Sequence, residues 1–427
     1  MKKTLKAIPL FALVTLVGFG CASGNDADQT KLTFYSTVTS EADQNTMDNV
    51  IDKFEEENPD IEIDQNYPTS EYESQLRVKM GANDMPDMFD THGWAQNRYG
   101  DYVEDLQDMD WIDDLDESLE PVLEDDEGKV YAYPLNQAND GLTYNADILD
   151  EYDIDPPETF DDLMKALKTI KQKSGGDVTP LWLAGSDKSD FAQFMDEFMS
   201  PLLVTSDDND YTEELLDGSF DWEEFNYLPE KIKEMQDEGL LNEDVLTAQD
   251  HEKEELMAQD KVGFVISTLP AESVRELNSD INLGIIPVPS IHDGDEPSWI
   301  GGERHTVAIS NESDHKDEAK KFIEFLSQPE IVKETAEGTD LPTGLTNEEA
   351  DIYYSDYYDE YEDIEVEPYF DREYLPGGMW DVMGTTTQEL LSDDITPEQM
   401  SQEMGDEYKR LLKEDEEEEE DEENEEE

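Results

Sequence analysis

The stretch Lys129–Asn145, KVYAYPLNQANDGLTYN, decides how the chain is organised. Val130, Tyr131 and Tyr133 lead into a break marked by Pro134. A polar link, Asn136–Asp140, follows. Gly141 then opens a second short apolar run, Leu142–Tyr144. Two strand-like pieces joined by Asn, Gln and Asp read as a backbone crossing between two folded units. The same pattern also suits two neighbouring strands inside one domain. A crossing would line any pocket between the units, and small-molecule sites favour such interfaces.

Upstream, the apolar run Lys31–Val38 reads as a buried strand. Ser40 and Asp43 form a capping box ahead of a helix. Met47, Val50, Ile51 and Phe54 fall on one face of it. Ile61 and Ile63 alternate as a second strand. Tyr72, Leu76 and Met80 mark a second helix ending at Gly81, and Met85–Phe89 is a third short strand. This βαβ alternation predicts a parallel sheet, with ligands off the carboxyl ends of its strands, at Ser36–Glu41 and Asp90–Arg98.

Downstream, Thr159 and Asp162 cap a helix whose apolar face is Leu163, Ala166, Leu167 and Ile170. Leu181–Ala184, Val262–Ser267, Leu283–Pro289 and Thr306–Ser310 read as strands. Phe191–Met199 is a Phe- and Met-rich helix, and Ala319, Phe322, Ile323 and Leu326 form the face of another. Asp351–Tyr374 is an acidic, Tyr-rich connection. Met379–Leu391 and Glu398–Leu412 look helical, and the acidic tail from Glu414 is expected to be disordered.

The 427 residues suffice for two or three domains. With 114 acidic against 28 basic residues the net charge is −86, which excludes nucleic acid as a partner. The acids are spread through every segment, as in a surface adapted to high salt. At about 1 M salt the screening length is roughly 3 Å, which makes such a surface tolerable. Lys2, Lys3 and Lys6 precede the apolar run Ala7–Phe19, a secretory signal too short to span a bilayer, which takes about 20 residues. Cys21, the single cysteine, follows at once and resembles the lipidation site of bacterial lipoproteins; a plain cleaved signal is the other reading. Ser23–Gln29 would be a tether.

Support for catalysis is thin. The sequence has no GxSxG, HExxH, phosphate-binding loop or CxxC pair. The five histidines are scattered, so neither a metal site nor a cofactor is expected. Asp207–Gly218 departs from a calcium loop at Tyr211 and Thr212. The aromatic residues carry more information. Trp94, Trp182, Trp299 and Trp380 lie beside strand ends or Gly/Pro-rich turns. Tryptophan covers the apolar faces of a sugar ring while acids, amides and Arg pair with its hydroxyls. Core packing is the competing role for each, and Trp111 is assigned to it.

Taken together, LTFYS (Leu32–Ser36), FEEENPDIEI (Phe54–Ile63), MPDMFDTHGW (Met85–Trp94), the crossing stretch, DIDPPETFDDLMKALKTIK (Asp153–Lys171), KVGFVIS (Lys261–Ser267), GIIPVPS (Gly284–Ser290), GGERHTVAIS (Gly301–Ser310) and DLPTG (Asp340–Gly344) carry a resemblance. The chain resembles the family 1 extracellular solute-binding proteins of ABC importers, lipoproteins related to maltose-binding protein. That resemblance implies an α/β, two-lobe periplasmic-binding-protein-like fold of type II, hinged at crossing segments. Residues 1–20 would be the signal peptide and 21–29 the lipid-anchored tether. Lobe 1 would hold 30–135 and 305–346; lobe 2 would hold 136–304 and 347–413 with the C-terminal helices; 414–427 would be the tail.

By the same resemblance Trp94 and Trp380 match sugar-stacking tryptophans of the maltose-binding branch, and Asn97 matches a polar sugar ligand. A further Trp of that branch has no counterpart near Thr268-Leu269, and Ala138 replaces an acid in the crossing. These departures argue against maltodextrin and leave a sugar. Glu41, Asn139, Trp182, Trp299 and Arg304 are added as ligand-binding candidates from loop position and chemistry. The expected protein is a monomeric, non-enzymatic lipoprotein on the outer face of the membrane. It would pass a carbohydrate to its ABC permease. A betaine or peptide carrier and a secreted carbohydrate-active enzyme are the alternatives.

Overall fold

The computed structural model describes residues 29–38, 40–68, 72–96, 98–125 and 127–426; the side chains of 41, 42, 73, 74 and 415–426 are not among what it describes. The expected signal peptide, Cys21 and Asn97 therefore lie outside the described residues, as does the Glu41 side chain.

β1 (Thr30–Tyr35), β2 (Ile61–Asn66) and β3 (Met88–Phe89) alternate with the helices Glu41–Glu57 and Tyr72–Gly81. β1 lies parallel between β2 and β3. Ser40 Oγ accepts the Asp43 N–H at 3.0 Å, so Ser40 caps the helix as its position predicts. Met47, Val50, Ile51 and Phe54 are buried, each worth about 1.5–3 kcal/mol when fully removed from water. β3 is shorter than the sequence predicts. The Asp87 carboxylate accepts both the backbone N–H and the hydroxyl of Thr33, and the Asp87 N–H donates back to Thr33 Oγ1. These side-chain bonds take the place of ladder bonds.

β4 (Tyr133–Asp140) and β5 (Leu142–Asn145) revise the reading of the crossing. The polar link is itself strand. β4 pairs antiparallel with the long β9 (Trp299–Ile309) through two register shifts. The amides of Asn136 and Gln137 are buried and bonded. Asn136 accepts the His305 N–H at 3.1 Å and donates to Thr339 Oγ1 at 3.2 Å; Gln137 donates to the Thr343 carbonyl at 2.7 Å. The strand is polar because lobe 1 loops satisfy it. The change of sheet comes at Gly141, where a Cβ would collide with the Ile286 carbonyl oxygen.

β5 joins β6 (Thr179–Trp182), β7 (Val262–Ile266) and β8 (Leu283–Ile286) in a second sheet of order β6-β7-β5-β8. The first sheet runs β10-β9-β3-β1-β2, with β4 on β9 and β10 (Val366–Pro368) parallel to it. One hydrophobic core draws on residues from Leu32 to Leu135 and from Val307 to Leu345. Two others, on either side of the second sheet, draw on residues from Ala138 to Ile300 and from Tyr354 to Tyr408. Two α/β lobes thus share a ribbon, β4-β9-β10, that runs from one to the other.

The connection Asp351–Tyr374 has more structure than its sequence suggests. It contains the helices Ser355–Glu360 and Phe370–Glu373 around β10, anchored by Tyr354 and Tyr369 in the core. The last helix, Pro397–Glu426, continues through the acidic segment expected to be disordered. Arg410 bridges Glu407 and Glu414 across that boundary on one helix face. Among the described residues no helix is long and apolar enough to cross a membrane.

Candidate ligand-binding cleft between the lobes

Where β1 and β3 end, Asp90 is fully buried and its two oxygens are surrounded by donors. Oδ1 accepts the N–H groups of His92 (3.0 Å) and Thr306 (3.1 Å) and the Thr306 hydroxyl (3.0 Å). Oδ2 accepts from Thr37, and His305 Nδ1 lies 3.3 Å away. Burial alone would raise the Asp90 pKa; the His305 hydrogen bond and charge outweigh it and hold the carboxyl at about 2. Asp90 therefore ties both parallel strands to β9. Beside it His92 is held neutral, lowered to about 3 by burial and then by the Arg372 charge.

The ribbon and lobe 2 supply the other walls. Asp140, at the end of β4, accepts from the Tyr369 hydroxyl (2.5 Å) and the Thr268 N–H (3.1 Å). Arg304 lies 3.7 Å from Asp140 and donates to Tyr369 at 3.3 Å. The helix Ser189–Leu203 turns Asp196 and Glu197, both fully buried, inward. Asp196 accepts the Asp371 N–H at 2.7 Å; Glu197 accepts from Ser267 (2.7 Å) and Gln193 (2.8 Å). Burial raises both acids well above the carboxylate range, reinforced by the Asp371 charge at Asp196 and the Asp140 charge at Glu197. Burial also pushes Glu303 up to about 7, against the pull of Arg372, and raises Asp371.

One oxygen of each of Asp196, Glu197, Glu303 and Asp371, and Nδ1 of His92, is buried with no hydrogen-bond partner. Leaving such groups unpaired costs about 1–3 kcal/mol each. A protonated carboxyl both donates and accepts, as does a sugar hydroxyl. The arrangement suits a neutral polyhydroxyl solute, with the guanidinium groups of Arg304 and Arg372 offsetting the remaining carboxylate charge. Among the described residues no group of three or more His, Cys, Asp or Glu is arranged to hold a metal ion.

The expected site residues divide. Trp94 is half-buried at the edge of the lobe 1 core, with the Arg98 guanidinium 4.0 Å from its ring. Trp380 is half-buried at the edge of the lobe 2 core, three residues beyond Gly377, which approaches Arg98. Arg304 lies in the cleft wall. Trp182 is corrected: it is 2% exposed in the lobe 2 core and offers no ring face to a solute. Trp299 is equally buried, edge-on to Tyr358 and Tyr361. With Asn139 it borders a separate cavity of about 800 Å³, also lined by Gln137, Tyr358 and Tyr361. Adjacent strand residues point to opposite faces, so Asn139 lies behind the ribbon whose front carries Asp140.

Sequence reasoning placed ligands at the strand end Asp90–Arg98 and along the crossing without naming Asp90, His92 or Asp140, and it missed Asp196, Glu197, Glu303, Tyr369, Asp371 and Arg372. A usable signal existed for two of them. Asp196 and Glu197 interrupt the Phe- and Met-rich face of FAQFMDEFMS, where a solvated acid has no place.

The profile of the bacterial extracellular solute-binding protein family matches residues 39–333. The melibiose/raffinose/stachyose-binding protein MelE of Bacillus subtilis (strain 168) is 49% identical over 419 residues, 97% of this chain and 98% of that protein. A crystal structure of the Bacillus subtilis binding protein MsmE in an open conformation has 49% identity and a TM-score of 0.87, covering 92% of this chain and all of that one. A sugar transporter of Bacillus licheniformis in complex with stachyose has 54% identity and a TM-score of 0.83, covering 90% of this chain and all of that one. The chain belongs to the bacterial extracellular solute-binding protein family 1.

Proposed function

We propose that the chain is the sugar-capturing component of an ABC importer, taking an oligosaccharide of the melibiose, raffinose and stachyose kind between its lobes. The observation that carries this reading is the set of carboxyl oxygens on Asp196, Glu197, Glu303 and Asp371 that are buried without a hydrogen-bond partner, on the ribbon and on the lobe 2 elements beside it. The relatives' sugars give the ligand class. Trp94 and Trp380 cover sugar faces; Arg304, Glu303, Asp196, Glu197 and Asp371 pair with hydroxyls. A sugar that contacts both lobes favours the closed state by differential affinity, and the closed protein is delivered to the permease unaltered. Cys21 carries a lipid that holds the protein, a monomer, at the outer face of the membrane, with Ser23–Gln29 as tether. The −86 charge suits a salt-rich medium.

A thermal-shift titration in about 2 M salt tests the reading. Raffinose or stachyose at a hundredfold excess over Kd adds about 2.7 kcal/mol to apparent stability. Raffinose recovered intact is the expected result. A shift with a betaine or peptide and none with any sugar overturns the ligand class, and hydrolysed sugar overturns the binding-protein role.

A further inference from the structure

The chain has six arginines, and Arg98, Arg304 and Arg372 gather at the cleft. Two of them are arranged reciprocally. Arg372, from lobe 2, stacks on Tyr369 of its own lobe with 3.9 Å from guanidinium carbon to ring centre. Its guanidinium fills the space that a Cβ on Gly93 of lobe 1 would need. Arg98, from lobe 1, stacks on Trp94 of its own lobe at 4.0 Å. Its Nη2 lies 3.3 Å from where a Cβ on Gly377 of lobe 2 would sit. Each lobe thus presents one arginine, held over its own aromatic ring, to a glycine of the other lobe.

We infer that these two contacts form an interlobe clasp, and that Arg98 and Arg372 are positioning residues that set how long the closed state, and a captured sugar, persists. Three features support it. Stacking on an aromatic face fixes the guanidinium plane and lowers the entropy lost on contact. Glycine at both receiving positions lets the backbone come close enough to meet a flat cation, and Gly93 at φ +84° adopts a conformation that favours glycine. Glu303, on the ribbon between the lobes, feels the Arg372 charge and is hydrogen-bonded by the Gly93 backbone, so all three bodies meet at one junction. Tryptophan and tyrosine rings near the cleft therefore have a second role: they hold the clasp.

The inference rests on the sugar reading for its ligand, and its test separates the two. Dissociation of raffinose is measured by stopped flow in wild type, in Arg98→Ala/Arg372→Ala, in Arg98→Lys/Arg372→Lys, and in Gly377→Val. Small-angle scattering follows compaction in each. The clasp requires the alanine double variant to release raffinose at least tenfold faster and to compact less at saturation. Lysine does not restore it, because it cannot stack as a plane. Gly377→Val shows the same direction with both arginines intact, and each variant keeps the wild-type far-ultraviolet circular dichroism without sugar. Wild-type release rates and compaction in the double variant and Gly377→Val overturn the clasp. A wild-type protein that does not respond to raffinose overturns the sugar reading instead. The clasp is then judged by scattering without sugar, where the double variant must be the more expanded and equal radii reject it.

Discussion

The two faces of the ribbon are built from the same strands and do different things. Behind it, Asn139, Trp299, Tyr358 and Tyr361 border a cavity of about 800 Å³ in which the aromatic rings mostly pack on one another. In front, Asp140 lies 3.7 Å from Arg304 and its charge acts on buried Glu197, one oxygen of which is unpaired. Behind, the cavity holds one unpaired amide oxygen, Asn139 Oδ1; in front, Asp196, Glu197 and Asp371 each leave a buried carboxyl oxygen unpaired. Unpaired polar groups, and not volume, point to the solute.

Four measurements press on that contrast. The largest effect is expected at the keystone of the front face. Asp90→Ala leaves buried His305 and Thr306 and half-buried Thr37 without their shared acceptor and should cost roughly 3–5 kcal/mol in chemical denaturation. A loss below about 1 kcal/mol would mean that the strand ends do not depend on it. Next, the acid limb: the Asp90 pKa is depressed when folded, from an ordinary value of about 3.9 to about 2. Its stabilisation is complete above pH 4 and lost as pH falls through 2. The stability difference between wild type and Asp90→Asn should therefore shrink by about 2–3 kcal/mol between pH 5 and pH 2. A pH-independent difference would remove the ionised carboxylate from the account.

Trp94→Ala and Trp380→Ala should each weaken sugar binding by about 1–3 kcal/mol in calorimetric titrations, the scale of one buried apolar side chain. Unchanged titrations in both would take them out of the site. The smallest effect belongs to the back. Asn139→Ala and Tyr361→Ala should change sugar affinity by less than about 0.5 kcal/mol, the range of substitutions remote from a critical feature. A larger loss there than at Trp94 would reverse the assignment of the two faces.

The fold was legible where periodicity was strong. Met47, Val50, Ile51 and Phe54, and Leu163, Ala166, Leu167 and Ile170, form the buried helix faces their spacing predicts. The family resemblance, carried by the order of many short motifs, pointed to the same two-lobed α/β class. The site was harder to read. Trp182 and Trp299 sit beside strand ends like Trp94, yet chain position does not tell which side of a sheet a ring takes. Polar β4 looked like a link because its partners, His305, Thr339 and Thr343, lie some 170–205 residues further on. Asp371 and Arg372 were hidden for a similar reason: their segment has little periodicity, and its place is set by β10 pairing on β9.

The position of β9 has a consequence for the order of events during synthesis. Lobe 1 cannot complete its sheet with the residues that begin it. β3 ends at residue 89, while its antiparallel neighbour ends at residue 309, and core residues such as Phe322 and Val332 come later still. At about 5–20 residues per second, the interval between them is roughly 10–40 s of translation. The first lobe begun thus waits on the second, and the chain stays without its native N-terminal core until most of it has been made.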